Sequence, residues 1–316
     1  MKKNALIYCV VATALLICSC NNTTRTVRIK VGYLPMVSSL THFVAMDKGY
    51  YKEQGFEVEA NPIKTSNLIA QDLAAGHIDA GIELSLVPLL TQLDKSPNSI
   101  KIFSISNINT TNGFDGVIVK NDAPYQKLED LAGKRIGAFP GTTGKTSLLD
   151  IFRSRFPDSI LPEIIELDPP LHLQSLSNGD IDGLFTYEPT LTTGIIMNGF
   201  RKISSSIYAM QYSPNPIGVA AVNAKWMKSN PDLARSFFTA IDKAVQFIEN
   251  NPVEARRILA KATGLQNEKI SNAMNIMPLS LSKKIDLGNL RGYLEILKKL
   301  GEIKTVPDPA EICITQ

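Results

Sequence analysis

GKRIGAFPGTTGKTSLL, residues 133–149, decides how the chain is read. The apolar run Arg135–Phe139 suits a short strand, Pro140-Gly141 breaks it, and Thr142-Thr143-Gly144 leads into a helix-compatible segment. A strand, a tight loop and a helix start together present unpaired backbone N–H groups and partial positive charge, a setting that receives anions and polar groups. Gly144-Lys145-Thr146 is also how a nucleotide-binding P-loop ends. A P-loop needs glycine five residues before Gly144, where Phe139 stands, and Ile164–Asp168 is a poor match for the strand that would carry a Mg²⁺ carboxylate. The stretch is therefore read as a solute loop, with a plain structural turn as the alternative.

The same pattern occurs earlier in the chain. Val31-Gly32-Tyr33-Leu34-Pro35 is echoed by Ile136-Gly137-Ala138-Phe139-Pro140, and each is followed by a Ser/Thr-bearing loop. Leu68, Gln71, Leu73, Gly76 and Ile78-Asp79 are echoed by Leu171, Gln174, Leu176, Gly179 and Ile181-Asp182. Two echoes at nearly equal offsets predict two similar α/β halves. Strand signals at Val27–Tyr33, Phe56–Ala60, Ile78–Ile82, Lys101–Ile108, Gly116–Lys120 and Pro216–Val222 alternate with helix signals. Ser38, Ser39 or Thr41 is expected to cap a helix running to Gly49, Ser66 a helix over Asn67–Ala75, and Ser85 one to Leu93. Leu128–Ala132 reads as a short helix. Leu233, Phe237, Ile241, Ala244, Val245 and Ile248 form one apolar helical stripe behind Pro231. Alternating β and α signals imply mostly parallel sheets, whose ligands bind at the carboxyl ends of strands.

The chain opens Met1-Lys2-Lys3, an apolar run Ala5–Ile17, then Cys18-Ser19-Cys20. This is an export signal, too short to span a bilayer. Residues 1–19 are expected to be removed, Cys20 to be lipidated as in a bacterial lipobox, and 20–26 to form a tether. An ordinary signal peptide containing Cys is the plainer alternative. Net charge is +3 over 316 residues and there is no basic run, which gives no reason to expect nucleic acid. His42, His77 and His172 are scattered and no Cys pairs with a His in a catalytic pattern, so the residues call for neither a metal nor a cofactor.

Gly32-Tyr33-Leu34-Pro35, Ala45, Lys48-Gly49-Tyr50-Tyr51 and Gly55-Phe56-Glu57-Val58 together resemble the opening of ABC-importer solute-binding proteins of the nitrate/sulfonate/taurine and thiamine-precursor group. Ala74–Asp79, Leu128–Ile136, Gly179–Asp182 and Tyr187-Glu188-Pro189 continue the likeness in order, from about Val27 to the C-terminus. The resemblance implies a type II periplasmic-binding-protein fold of the α/β class, with two lobes closing on a ligand about a two-strand hinge. Lobe 1 would comprise 27–115 plus 216–316, and lobe 2 would comprise 116–215. It further implies delivery to a permease and its ATPase by a monomer held on the membrane through its lipid. An enzyme on the same fold in pyrimidine or cofactor biosynthesis, or a sensory binding module, stays open; the Cys-rich motif of the pyrimidine synthases is absent.

Ligand contacts are expected at the ends of matched strands: Leu34, Ser38, Ser39, Glu83 and Ser85 from the first half, and Gly141, Thr142, Thr143, Tyr187 and Glu188 from the second. Ser38, Ser39 and Ser85 serve equally as caps. Glu83 is either a solvated charge or a selector for an amine. Tyr187 either stacks on a planar solute or packs in the core, and Glu188 accepts from a ligand or a cross-lobe partner.

Overall fold

A computed structural model describes residues 27–277 and 280–314. The signal, the tether and Cys20 lie outside the described residues.

Among the described residues, ten strands form two five-stranded sheets. The first contains β1 (Arg28–Tyr33), β2 (Glu57–Pro62), β3 (Ala80–Ser85) and β4 (Ile100–Ile108). The second contains β5 (Asp115–Val119), β6 (Arg135–Ala138), β7 (Glu163–Glu166), β8 (Gly183–Tyr187) and β9 (Arg201–Ser205), and β10 (Asn215–Asn223) returns to the first. The orders are β2-β1-β3-β10-β4 and β7-β6-β8-β5-β9. Position by position these are one topology: β1 corresponds to β6, β2 to β7, β3 to β8, β10 to β5 and β4 to β9. β10 runs antiparallel to β3 and β4, and β5 runs antiparallel to β8 and β9. The chain leaves the first sheet after Ile108, enters the second at Asp115, and returns between Ser205 and Asn215.

The sequence echo has a physical cause. Gly76 and Gly179 end their helices with φ of +75° and +83°, the left-handed conformation glycine adopts without a Cβ penalty. The chain then turns into β3 or β8, and the Asp of each Ile-Asp pair ties that turn to the neighbouring strand. Asp79 Oδ2 accepts from Lys30 N at 2.8 Å, and Asp182 Oδ2 accepts from Arg135 N at 3.0 Å. Each Asp N–H donates in return to the carbonyl of that same residue, both at 2.8 Å. The Ile beside it packs over the glycine of the adjacent strand. A Cβ on Gly32 would sit 2.6 Å from Ile78 Cδ1, and one on Gly137 would sit 2.5 Å from Ile181 Cδ1.

Helix Pro231–Asn250 buries Phe237, Phe238, Ile241, Ala244, Val245 and Ile248. Phe237 stacks on Tyr51 at 5.8 Å and Phe238 on Phe103 at 4.4 Å, so this helix fills one face of the first sheet.

Several local expectations fail. Ser38 and Ser39 cap nothing: the chain makes a 3₁₀ turn, Val37–Ser39, before helix Leu40–Asp47, and neither start carries a side-chain cap bond. Thr65, not Ser66, caps helix Ser66–Ala75, accepting from Leu68 N at 3.3 Å. Ser66 Oγ instead accepts from Ser85 N at 3.0 Å, and Ser85 occupies the N-cap position of helix Leu86–Lys95 without a side-chain cap bond. Leu128–Leu131 is a 3₁₀ turn, not an α-helix. Among the described residues no helix is long and apolar enough to cross a membrane.

Gly137→Ala overpacks Ile181 and is expected to cost about 1–3 kcal/mol, more than the ~0.5 kcal/mol gained by stiffening the unfolded chain. Adding Ile181→Val removes the clashing methyl. Urea unfolding should show the double variant more stable than Gly137→Ala alone; a cost that is the same or larger contradicts this packing.

Candidate functional site

Both sheets direct the carboxyl ends of their parallel strands toward the segments where the chain crosses between them. In the first half, β3 ends irregularly. Gly81 pairs with Ala221 and Leu84 with Val219, so Ile82 and Glu83 together stand opposite the single Ala220. This is a β-bulge, a device that re-aims a side chain near a sheet end. Glu83 adopts φ +54°, a left-handed conformation costing a non-glycine residue roughly 1–2 kcal/mol. Its carboxyl lies over Gly218 of β10, where a Cβ would come within 2.7 Å of Oε2. Ser106 Oγ of β4 donates to Oε2 at 2.6 Å. Burial pushes the carboxyl up to about 8, partly opposed by that hydrogen bond.

The 3₁₀ turn Val37–Ser39 packs beside β3. Among the described residues, Ser38 Oγ, Ser39 Oγ and Thr41 Oγ1 are buried without hydrogen-bond partners. Buried hydroxyls are normally paired, so three orphans at one strand end are unusual. Leu34 is buried, and its carbonyl accepts from Met36 N at 2.8 Å in the turn that presents these hydroxyls.

In the second half, Tyr187 ends β8 within an aromatic group. Its ring lies 4.8 Å from Phe139, 5.5 Å from Phe114 and 6.2 Å from Tyr208, and its hydroxyl shares a 2.7 Å hydrogen bond with that of Tyr208. Burial raises both phenols above their usual range. Gly144, in the first turn of helix Thr142–Arg155, presses on this pair: a Cβ there would meet Tyr187 Oη at 3.1 Å and Tyr208 Oη at 3.4 Å. Gly141 takes φ +122° at the N-cap, and its N–H points at Glu166 Oε2, 3.4 Å away. Lys145 Nζ lies 3.8 Å from Glu166 Oε1. An exposed carboxylate of this chain thus sits at the loop that resembled a phosphate cradle. Thr142 begins the helix, and Thr143 lines a small cavity with Val87 of the first half and Tyr293 of helix Leu287–Lys299.

Glu188 is spoken for within the protein. Oε2 accepts from Thr192 N at 3.1 Å, in the first turn of helix Thr190–Asn198, while Oε1 accepts from Thr192 Oγ1 at 2.9 Å and Asn275 N at 3.2 Å. Burial raises its carboxyl, and these bonds oppose the rise. Asn275 Nδ2 also donates to Gly113 O at 2.9 Å, so one residue of the C-terminal segment holds both a crossing segment and the end of β8.

Sequence reasoning missed Ser106, Asp115, Tyr208 and Gly218. Asp115 begins β5, buried; its Oδ2 accepts from Tyr208 N at 3.4 Å, while Oδ1 has no partner among the described residues. Burial pushes its carboxyl up to about 7, against backbone hydrogen bonds from Ile207 and Tyr208. Asp115 opens a strand instead of closing one, so a search of strand carboxyl ends passes over it. His42 and His172 are core residues, whereas His77 is exposed and lies 3.1 Å from Asp72. His42 meets Tyr51 Oη at 2.9 Å with its ring lowered to about 4 by burial, and His172 bridges Thr186 Oγ1 and Leu167 O.

Glu83 binds its proton more tightly in the folded protein than its ordinary value of 4.5. Its contribution to stability is therefore complete below that value and lost as pH rises through about 8. Glu83→Gln stays neutral. Between pH 5 and pH 8 the wild type should lose on the order of a few kcal/mol relative to this variant. Urea midpoints at the two pH values check this, and parallel behaviour of the two proteins contradicts it.

The taurine-binding periplasmic protein of Escherichia coli is 25% identical over 208 residues, spanning 66% of this chain and 62% of that one. The 4-amino-5-hydroxymethyl-2-methylpyrimidine phosphate synthase THI11 of Saccharomyces cerevisiae is 20% identical over 247 residues, spanning 74% and 70%. The crystal structure of the periplasmic aliphatic sulphonate binding protein SsuA from Escherichia coli matches with a TM-score of 0.74 at 12% identity, covering 92% of each chain. The two share the periplasmic-binding-protein fold. The NMT1/THI5-like family model matches residues 38–255, and the chain belongs to that family.

Proposed function

We propose that the protein is the extracytoplasmic substrate-binding component of an ABC importer, held on the membrane by a lipid on Cys20. It captures a small organic or anionic solute, in the range from sulfonate or nitrate to a pyrimidine or thiamine precursor. One observation carries the reading: two sheets of identical topology carry matched strand ends, with hydroxyls unpaired among the described residues on one and an aromatic pair on the other. A few placed polar groups in a partly apolar cleft are how small-solute sites achieve specificity. The taurine- and sulphonate-binding relatives support the same reading.

Residues 27–115 plus 216–316 act as one lobe and 116–215 as the other, with the crossings as hinge. A solute touching both lobes stabilises the closed form in proportion to its differential affinity for it. The monomer then docks on a permease whose ATPase supplies the energy. The yeast synthase relative favours a second reading, an enzyme on the same fold. Turnover of a bound solute by the purified protein distinguishes the two.

Native mass spectrometry of protein purified without refolding should reveal a bound small molecule. Re-adding that molecule should raise Tm with its concentration, by mass action. A protein that carries no small molecule, and whose Tm no sulfonate, nitrate or pyrimidine moves, overturns the reading.

A further inference from the structure

We propose that Glu83 is the charged anchor of the site and that the captured solute carries a cationic nitrogen, an amine or a protonated amino-heterocycle, bound against its carboxylate. This deepens the solute-binding reading above and rests on it.

Four observations converge on Glu83. The bulge opposite Ala220 and the φ of +54° aim this side chain specifically, at a conformational cost that packing alone does not require. Gly218 leaves the space that the carboxyl occupies; any other residue there would collide with Oε2. Ser106 Oγ fixes one oxygen, while Oε1 has no hydrogen-bond partner among the described residues. Met277 brings Cε within 3.5 Å of the same point above Gly218 and belongs to the apolar cluster of the second half that holds Tyr208 and Tyr187. A buried carboxyl whose one side-chain donor among the described residues is a serine hydroxyl lacks a counter-charge. Among the described residues none of the protein's own ion pairs involves Glu83. A cation entering the site would favour ionisation of a carboxyl that burial otherwise keeps protonated, and the charge-assisted hydrogen bond it then forms is strong because the site is desolvated. An anion there would meet repulsion whenever the carboxyl is ionised. The orphan hydroxyls of Ser38 and Ser39, beside the same strand, remain to bond the rest of the solute as donor or acceptor.

Isothermal titration with two matched pairs of probes tests the assignment: taurine against ethanesulfonate, and 4-aminopyrimidine against pyrimidine. The expected result is that an amino member binds the wild type at least tenfold more tightly than its partner lacking the amino group. Glu83→Gln should weaken the amino member at least tenfold and leave the partner's affinity unchanged. A thermal melt with the Glu83→Asp variant, which keeps the charge and should restore part of the affinity, separates loss of fold from loss of anchor. Equal binding within each pair, or unchanged amine affinity in Glu83→Gln, overturns the assignment and leaves the solute-binding reading standing. Failure of all four probes, together with recovery of a solute lacking basic nitrogen from the native protein, also overturns it. Failure of all four with no recovered solute overturns the solute-binding reading itself.

Discussion

Each sheet takes one interior strand from the chain as it crosses from the other half. β5 follows the first sheet's strands and sits between β8 and β9; β10 follows the second sheet's strands and sits between β3 and β4. Both run antiparallel to their neighbours, so their starts lie where the parallel strands end. This constraint puts Asp115 and Gly218, residues of strand beginnings, next to Tyr208 and Glu83. It also prevents either half from being completed without the other, and it makes the crossing segments the natural place for relative motion. The C-terminal segment reinforces the arrangement through Asn275 and Met277, which touch both halves.

The electrostatics of the site follow from that geometry. Glu83, Asp115 and Glu188 are all buried near the junction, and burial raises all three carboxyls. They are not equivalent. Glu188 is satisfied by Thr192 and Asn275, so it holds structure together. Asp115 keeps one oxygen without a partner among the described residues but anchors the backbone of Tyr208. Of the three, Glu83 alone combines a left-handed backbone with a single hydroxyl donor among the described residues. Stability sacrificed at such a position is the usual signature of a binding group.

What the sequence displays clearly is what depends on neighbouring residues. The repeated Gly, Ile and Asp positions mark the turn, the close strand contact and the return bond that build each half, and all are legible because each motif is short. Apolar runs such as Gly116–Lys120 and Pro216–Val222 are read as strands for the same reason, within a residue of the observed β5 and β10. β7 and β9 (Glu163–Glu166 and Arg201–Ser205) are edge strands carrying charges and largely half-exposed, so their alternation is faint. The site is less legible because its logic is distant. Nothing near Glu188 announces Asn275, and nothing near Glu83 announces the bulge formed with Ala220 or the space above Gly218. Ser38 and Ser39 look like caps by composition; only the 3₁₀ turn leaves their hydroxyls unbonded.

The central claim is that one solute lies between the two sets of strand ends. A crystal structure of the protein with the solute it carries from the cell tests this most directly. The expected density lies between Glu83 and the Ser38–Ser39 turn on one side and the Tyr187–Tyr208 pair on the other, in contact with both halves. Density confined to one half, or bound away from these residues, would contradict the account.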